Sequence, residues 1–185
     1  MINRKFFFDH VRSHLFDGKL RQRQVDGLTA ILDEWDRNHA KKDDRWLAYM
    51  LATTHHETDR TMQPIEEYGK GKGRAYGRTD AETGQAYYGR GFVQLTWKAN
   101  YEAMGKKLQI DLLNHPELAL KLDVATQILF LGMIEGRFTG KKLADYFNPQ
   151  KEDWVRARQI INRLDRANLI ATYAKSYYSA IGHTT

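Results

Sequence analysis

The chain has 185 residues, 42% hydrophobic and 12% aromatic, which suffices for one domain with a substantial core and leaves little room for a second. It has no cysteine, which excludes a disulfide-stapled scaffold, and no apolar run near the roughly 18 residues a membrane-spanning helix needs. A formal charge of +6 favours approach to a polyanion, whether nucleic acid, an acidic membrane surface or a bacterial envelope, without choosing among them.

At the start, MINRKFFFDHVRSH holds an apolar triplet that Asp9 and His10 break before a signal-peptide core could form, so no signal peptide is read and synthesis in the cytoplasm is expected. Over residues 21–38, Val25, Leu28, Leu32 and Trp35 recur at helical spacing, with Ile31 widening the stripe. A second helical run starts at Asp44, places Trp46, Leu47, Met50 and Leu51 on one side, and ends at His55-His56-Glu57.

Residues 58–96 lose this period in favour of Gly, Tyr, Thr and Lys, which predicts an irregular loop with a short hairpin. Helical spacing returns over 98–108 and again from Asp123, read as an N-cap, through Val124, Ile128, Leu131 and Met133. Pro116 can open a short helix and Asp153 can cap another. The last run, 166–181, steps through Leu169, Tyr173 and Tyr177. The pattern predicts a mainly α-helical (α+β) chain, one domain over 1–185, with a small irregular β-containing insert.

The segment at 55–67, HHETDRTMQPIEE, sets Glu66 nine positions after Glu57. Two carboxylates brought together from a helix end and the loop after it suit general acid/base hydrolysis of a sugar linkage. A partly desolvated Glu57 would hold its proton as the acid, and Glu66 or Glu67, near Lys70, Lys72 and Arg74, would stay ionised as the base. Alone, these glutamates read first as ordinary surface charge. The tract at 87–101, YYGRGFVQLTWKANY, adds adjacent tyrosines, a Gly-Arg-Gly turn and the neutral polar groups Gln94, Thr96 and Asn100, which are groups that bind sugars.

Both segments resemble the family 19 glycoside hydrolases, which include chitinases and many bacteriophage endolysins; the wording TMQPIEEYGKGKGR is similar to the endolysin branch. The resemblance implies a lysozyme-like helical domain with the irregular insert as one wall of the cleft. It implies Glu57 as general acid, Glu66 as second carboxylate with Glu67 competing, and Thr96 as the hydroxyl holding the attacking water. Tyr88, Arg90, Gln94, Asn100 and Asn162 are implied substrate-binding residues. Asp59-Arg60 stands where the family often has Gly-Gly, and Phe92 where it often has Pro. The implied route is inverting, with carboxyl groups roughly 6.5–9.5 Å apart.

The expected reaction is therefore hydrolysis of the β-1,4 linkage between N-acetylmuramic acid and N-acetylglucosamine in peptidoglycan, with no cofactor. An endolysin of this kind waits in the host cytoplasm until a pore-forming protein admits it to the wall. A chitinase acting on N-acetylglucosamine polymers is the second reading. A zinc site at His55-His56-Glu57 lacks the second histidine, since Arg60 stands four residues after His56. The glycines at 69, 71, 73 and 77 lack a phosphate-loop ending and instead mark a mobile loop whose lysines and arginines suit an anionic polymer.

A basic nucleic-acid-binding module would explain the charge but not the glutamates, so no nucleic acid is expected. Arg156, Arg158, Arg163, Arg166 and Lys175 could meet an anionic envelope surface, without stable membrane insertion. A monomer is the default expectation.

Overall fold

The structure is a computed structural model that describes residues 1–182. Its helices are α1 Arg4–Leu15, α2 Gln22–Asn38, α3 Asp44–Glu57, α4 Lys98–Leu108, α5 Leu122–Glu135 and α6 Ala167–Ile181. Two small antiparallel pairings accompany them, β1 Ile65–Glu66 with β2 Arg90–Gly91, and β3 Phe147–Asn148 with β4 Lys151–Glu152. The fold is mainly α, as the periodicity predicts. The chain divides into two compact units, Met1–Met62 with the chain from Phe130 on, and Gln63–Leu129. This partition is finer than the single domain expected from length. No helix among the described residues is long and apolar enough to cross a membrane.

In the first unit α3 is the central element. Asp43 caps it by accepting from the Arg45 amide at 3.0 Å, and nine consecutive residues from Leu47 to His55 are buried, so the helix is surrounded rather than amphipathic. Each fully buried Leu or Met there contributes about 1.5–3 kcal/mol. α6 packs along α3 and α1 through Ala167, Ile170, Ala171, Ala174 and Tyr177. The stripe expected on α6 is thus rotated, with Leu169 exposed and Tyr173 half-buried. Alanines carry much of this interface because the helices approach closely, and alanine adds little to an apolar stripe.

α1 is an element that the reading of the N-terminus as a broken leader overlooked. Asn3 caps it through the Phe6 amide at 3.0 Å, and Phe7, Val11 and Leu15 bury a face at four-residue spacing.

Immediately after Glu57, Asp59 and Arg60 both take positive φ, +48° and +64°. The left-handed turn that Gly-Gly would form freely is therefore made by non-glycine residues, at about 1–2 kcal/mol each. It is held by Thr58, whose hydroxyl donates to Thr54 O at 2.7 Å and accepts from the Met62 amide at 3.1 Å. The Arg60 guanidinium also donates to Leu15 O and Asp17.

In the second unit, Ile65 pairs with Gly91 and Glu66 with Arg90, so the expected hairpin is a two-residue clasp closing a long irregular stretch. Gly91 has φ +91°, and a Cβ there would lie 3.0 Å from Ala119 O, so the clasp needs glycine to pass the 3-10 turn Pro116–Leu120. Pro116 opens that turn as expected. Asp123, expected as the N-cap, is instead the second residue of α5, which begins at Leu122. Asp153 accepts from the Arg156 amide at 2.9 Å, leading into the 3-10 turn Arg156–Ile160.

Candidate active site

Glu57 ends α3 with its side chain 16% exposed, and its Oε1 accepts from Arg158 Nη1 at 2.6 Å. Arg158 is 3% exposed and donates its Nε to Asp165 O at 3.0 Å. The surroundings inferred for Glu57 from the sequence were apolar; the structure adds a buried guanidinium that holds one carboxylate oxygen. This removes Arg158 from the cations proposed to meet an envelope surface. Oε2 has no protein partner among the described residues. Half-buried His56 is adjacent, its pKa lowered mainly by burial against the pull of Glu57. His55 is buried, with Nδ1 3.0 Å from the Tyr177 hydroxyl and its ring 4.5 Å from Tyr173. Burial, then the Arg60 and His56 charges, pushes its pKa down to about 4.

In the other unit, Glu66 is 35% exposed and meets three partners. The Tyr88 hydroxyl donates to Oε1 at 2.8 Å, Lys70 Nζ lies 3.2 Å from Oε2, and Arg90 Nε lies 3.8 Å from Oε1. These hold its pKa below the ordinary carboxylate value, the Tyr88 hydrogen bond first, then Lys70 and Arg90. Glu67 is engaged differently. Tyr76 donates its hydroxyl to Oε1 at 2.9 Å and the Gly89 amide donates to Oε2 at 3.0 Å. Both oxygens of Glu67 therefore fasten the loop.

Arg90 is buried with its guanidinium 3.7 Å over the Tyr88 ring, and its Nη1 donates to Ala86 O and to the Tyr101 hydroxyl. Tyr88 and Arg90, expected to bind substrate, thus spend their polar groups on Glu66 and its scaffold. Gln94 has φ +54° and donates to Ile65 O at 3.1 Å. A Cβ on Gly89 would sit 2.7 Å from its Oε1 and 3.3 Å from its Cβ, so this side chain lies directly against the Gly89 backbone. Thr96 donates to Gln94 O and Asn100 to Thr96 O, both at 2.8 Å, which chains the three polar residues together. Asn162 lies in an exposed turn of the first unit, accepting from the Arg163 amide at 2.8 Å.

A glycoside hydrolase family 19 model, described as chitinase class I, matches residues 35–133, just over half of the chain. The chain belongs to that family. The match takes in Glu57, Glu66, Gln94, Thr96 and Asn100 and stops before Arg158 and Asn162. Among relatives, an acidic endochitinase of Petunia hybrida is 38% identical over 71 residues, which is 38% of this chain and 27% of that protein. An endochitinase of Arabidopsis thaliana is 33% identical over 123 residues, 62% of this chain and 41% of its own length. The similarity thus spans well under half of either plant relative. Chitinase C from Streptomyces griseus has the same fold, with a TM-score of 0.62 at 22% identity, covering 100% of this family 19 chain and 78% of its own.

Proposed function

We propose that this family 19 chain is an endolysin-type muramidase that hydrolyses the β-1,4 linkage between N-acetylmuramic acid and N-acetylglucosamine in peptidoglycan, with inversion. The observation that carries the catalytic reading is the contrast between its adjacent carboxylates. Glu66 is half-buried and held anionic by the Tyr88 hydroxyl and the Lys70 and Arg90 cations, whereas Glu67 accepts from the Tyr76 hydroxyl and the Gly89 amide and has no cation beside it among the described residues. Glu66 is the base: it takes a proton from water as that water attacks the anomeric carbon. Thr96 already donates its hydroxyl hydrogen to Gln94 O, so it offers the water a lone pair and turns the water's own lone pair toward the sugar.

Glu57 is the acid. Arg158 fixes Oε1, and Oε2 carries the proton to the glycosidic oxygen as the bond breaks. Net charge and the TMQPIEEYGKGKGR wording support a cell-wall substrate. A chitinase acting on N-acetylglucosamine polymers is the second reading, favoured by the names of the relatives.

Mass analysis of fragments from purified peptidoglycan tests the substrate assignment. A reducing N-acetylmuramic acid end is expected; an anhydro end or an N-acetylglucosamine end would refute muramidase hydrolysis. Glu57→Gln should lower the rate by about 10²–10⁴-fold with an unchanged circular dichroism melt, the scale of a lost general acid. A variant that clears walls near the wild-type rate would remove Glu57 from the mechanism.

A further inference from the structure

Within the second unit lies an open cleft of about 330 Å³ lined in part by Tyr76, Arg78, Asp80, Tyr87, Trp97 and Lys98. Trp97 is its unusual member. Its backbone sits at φ +78°, ψ 135°, a conformation that L residues rarely adopt. Such strain persists only where the surroundings impose it. Here the Trp97 amide donates to Tyr87 O at 2.9 Å, and its carbonyl accepts from the Asn100 and Tyr101 amides at 3.0 and 3.1 Å.

The strain is not offset by burial, since Trp97 is 51% exposed; its ring meets the Tyr76 ring in a T-shaped contact with centroids 5.1 Å apart at 75°. About half of this indole residue is thus left to solvent at an energetic cost, next in sequence to Thr96. A flat aromatic surface of this kind accepts the apolar face of a sugar ring.

The charges around it are unequal. Lys98 is committed to Asp80 at 3.0 Å and Glu82 at 2.6 Å, which raise its pKa. Arg78 is exposed and has no side-chain partner among the described residues. It is therefore the lining cation free to meet a ligand anion.

We infer that Trp97 and Arg78 form a sugar subsite selecting acetamido-sugar polymers that carry carboxylates on their side groups, Trp97 stacking on the ring and Arg78 pairing with the carboxylate. This deepens the glycan-hydrolase reading and rests on it. The test is sedimentation binding of the Glu57→Gln chain to purified peptidoglycan and to colloidal chitin, since binding needs no turnover.

Adding Arg78→Gln should weaken binding to peptidoglycan about threefold at low salt, the scale of one exposed ion pair, and leave chitin unchanged. That difference should vanish at about 1 M salt, where the screening length is about 3 Å, or when the peptidoglycan carboxylates are amidated. Trp97→Ala should weaken both polymers about tenfold, as for a truncated aromatic anchor, and Trp97→Phe should restore most of the loss.

Equal effects of Arg78→Gln on the two polymers, or no effect of Trp97→Ala, would overturn the subsite, as would failure of the parent to bind either polymer. If these losses appear while the wild-type chain cleaves neither polymer, the subsite stands and the proposed reaction falls. If the wild type cleaves peptidoglycan and both variants bind like their parent, the reaction stands and the subsite falls.

Discussion

Replacing His55 with glutamine should flatten the dependence of stability on pH between roughly 7.5 and 5. The imidazole is buried on α3 between Phe16 and Tyr173, with Nδ1 on the Tyr177 hydroxyl and no partner for Nε2 among the described residues. Its pKa is pushed from the ordinary 6.5 down to about 4, by burial first and then by the Arg60 and His56 charges. As pH falls, the unfolded chain therefore takes up this proton before the folded one does. The stabilising contribution is complete above the unfolded value and is lost as pH falls toward the folded one.

At about pH 5 the proton-binding ratio of the unfolded and folded states is about 30, which costs about 2 kcal/mol of stability relative to pH 7.5. Glutamine can keep the hydrogen bond to Tyr177 without titrating. His39 and His56 are also depressed, but both remain in wild type and variant, so the comparison isolates His55. The assay is urea unfolding by tryptophan fluorescence, which reports on this unit through Trp35, Trp46 and Trp154. Equal pH dependence in the two proteins, or a His55 resonance titrating near its ordinary value, would refute the argument.

Other outcomes follow from the same geometry. Arg158→Leu strands Glu57 and should cost about 3 kcal/mol in urea unfolding, part of it recovered when Glu57→Gln is added; an additive pair would deny the coupling. In a wall-clearing assay, Glu66→Gln should reduce the rate at least about 100-fold with little change in melting temperature. Glu67→Gln should do the reverse, weakening the fold by about 1 kcal/mol through its bonds to Tyr76 and Gly89 while retaining most of the rate. Ala174→Leu should destabilise the chain by about 1–3 kcal/mol, because a larger side chain overfills the close approach of α6 to α3; an unchanged urea midpoint would contradict that packing.

The elements legible in the sequence are those whose determinants are local. Leu28, Ile31, Leu32 and Trp35 repeat on one face of α2, and the run from Asp44 to Glu57 matches α3, so both helices could be bounded without a structure, although the Asp43 cap went unread. α1 obeys the same rule through Asn3, Phe7, Val11 and Leu15, and was missed because its apolar triplet was weighed only as a leader. The face of α6 was misjudged for a different reason: a tight helix pair buries alanine, which carries little signal in an apolar pattern.

At the site, the resemblance in two short motifs pointed to Glu57, Glu66 and Thr96, but their partners lie far off in the chain. Arg158 reaches Glu57 across 101 positions and Tyr88 reaches Glu66 across 22, and no local pattern distinguishes such an arginine from a solvated one.

The choice between Glu66 and Glu67 shows what the missing partners decide. Adjacent in sequence, they compete: the resemblance favours Glu66, and one residue of loop length could hand the base role to Glu67. On a strand, successive side chains leave opposite faces. Glu66 pairs in register with Arg90, and the Glu67 amide continues the ladder by donating to Gly89 O at 2.7 Å. The register therefore directs Glu66 to Tyr88, Lys70 and Arg90, and Glu67 to Tyr76 and the Gly89 amide.

Exchanging their partners would require a slip of one residue in the clasp. The clasp is only two residues long, yet its register gives the two adjacent carboxylates different partners.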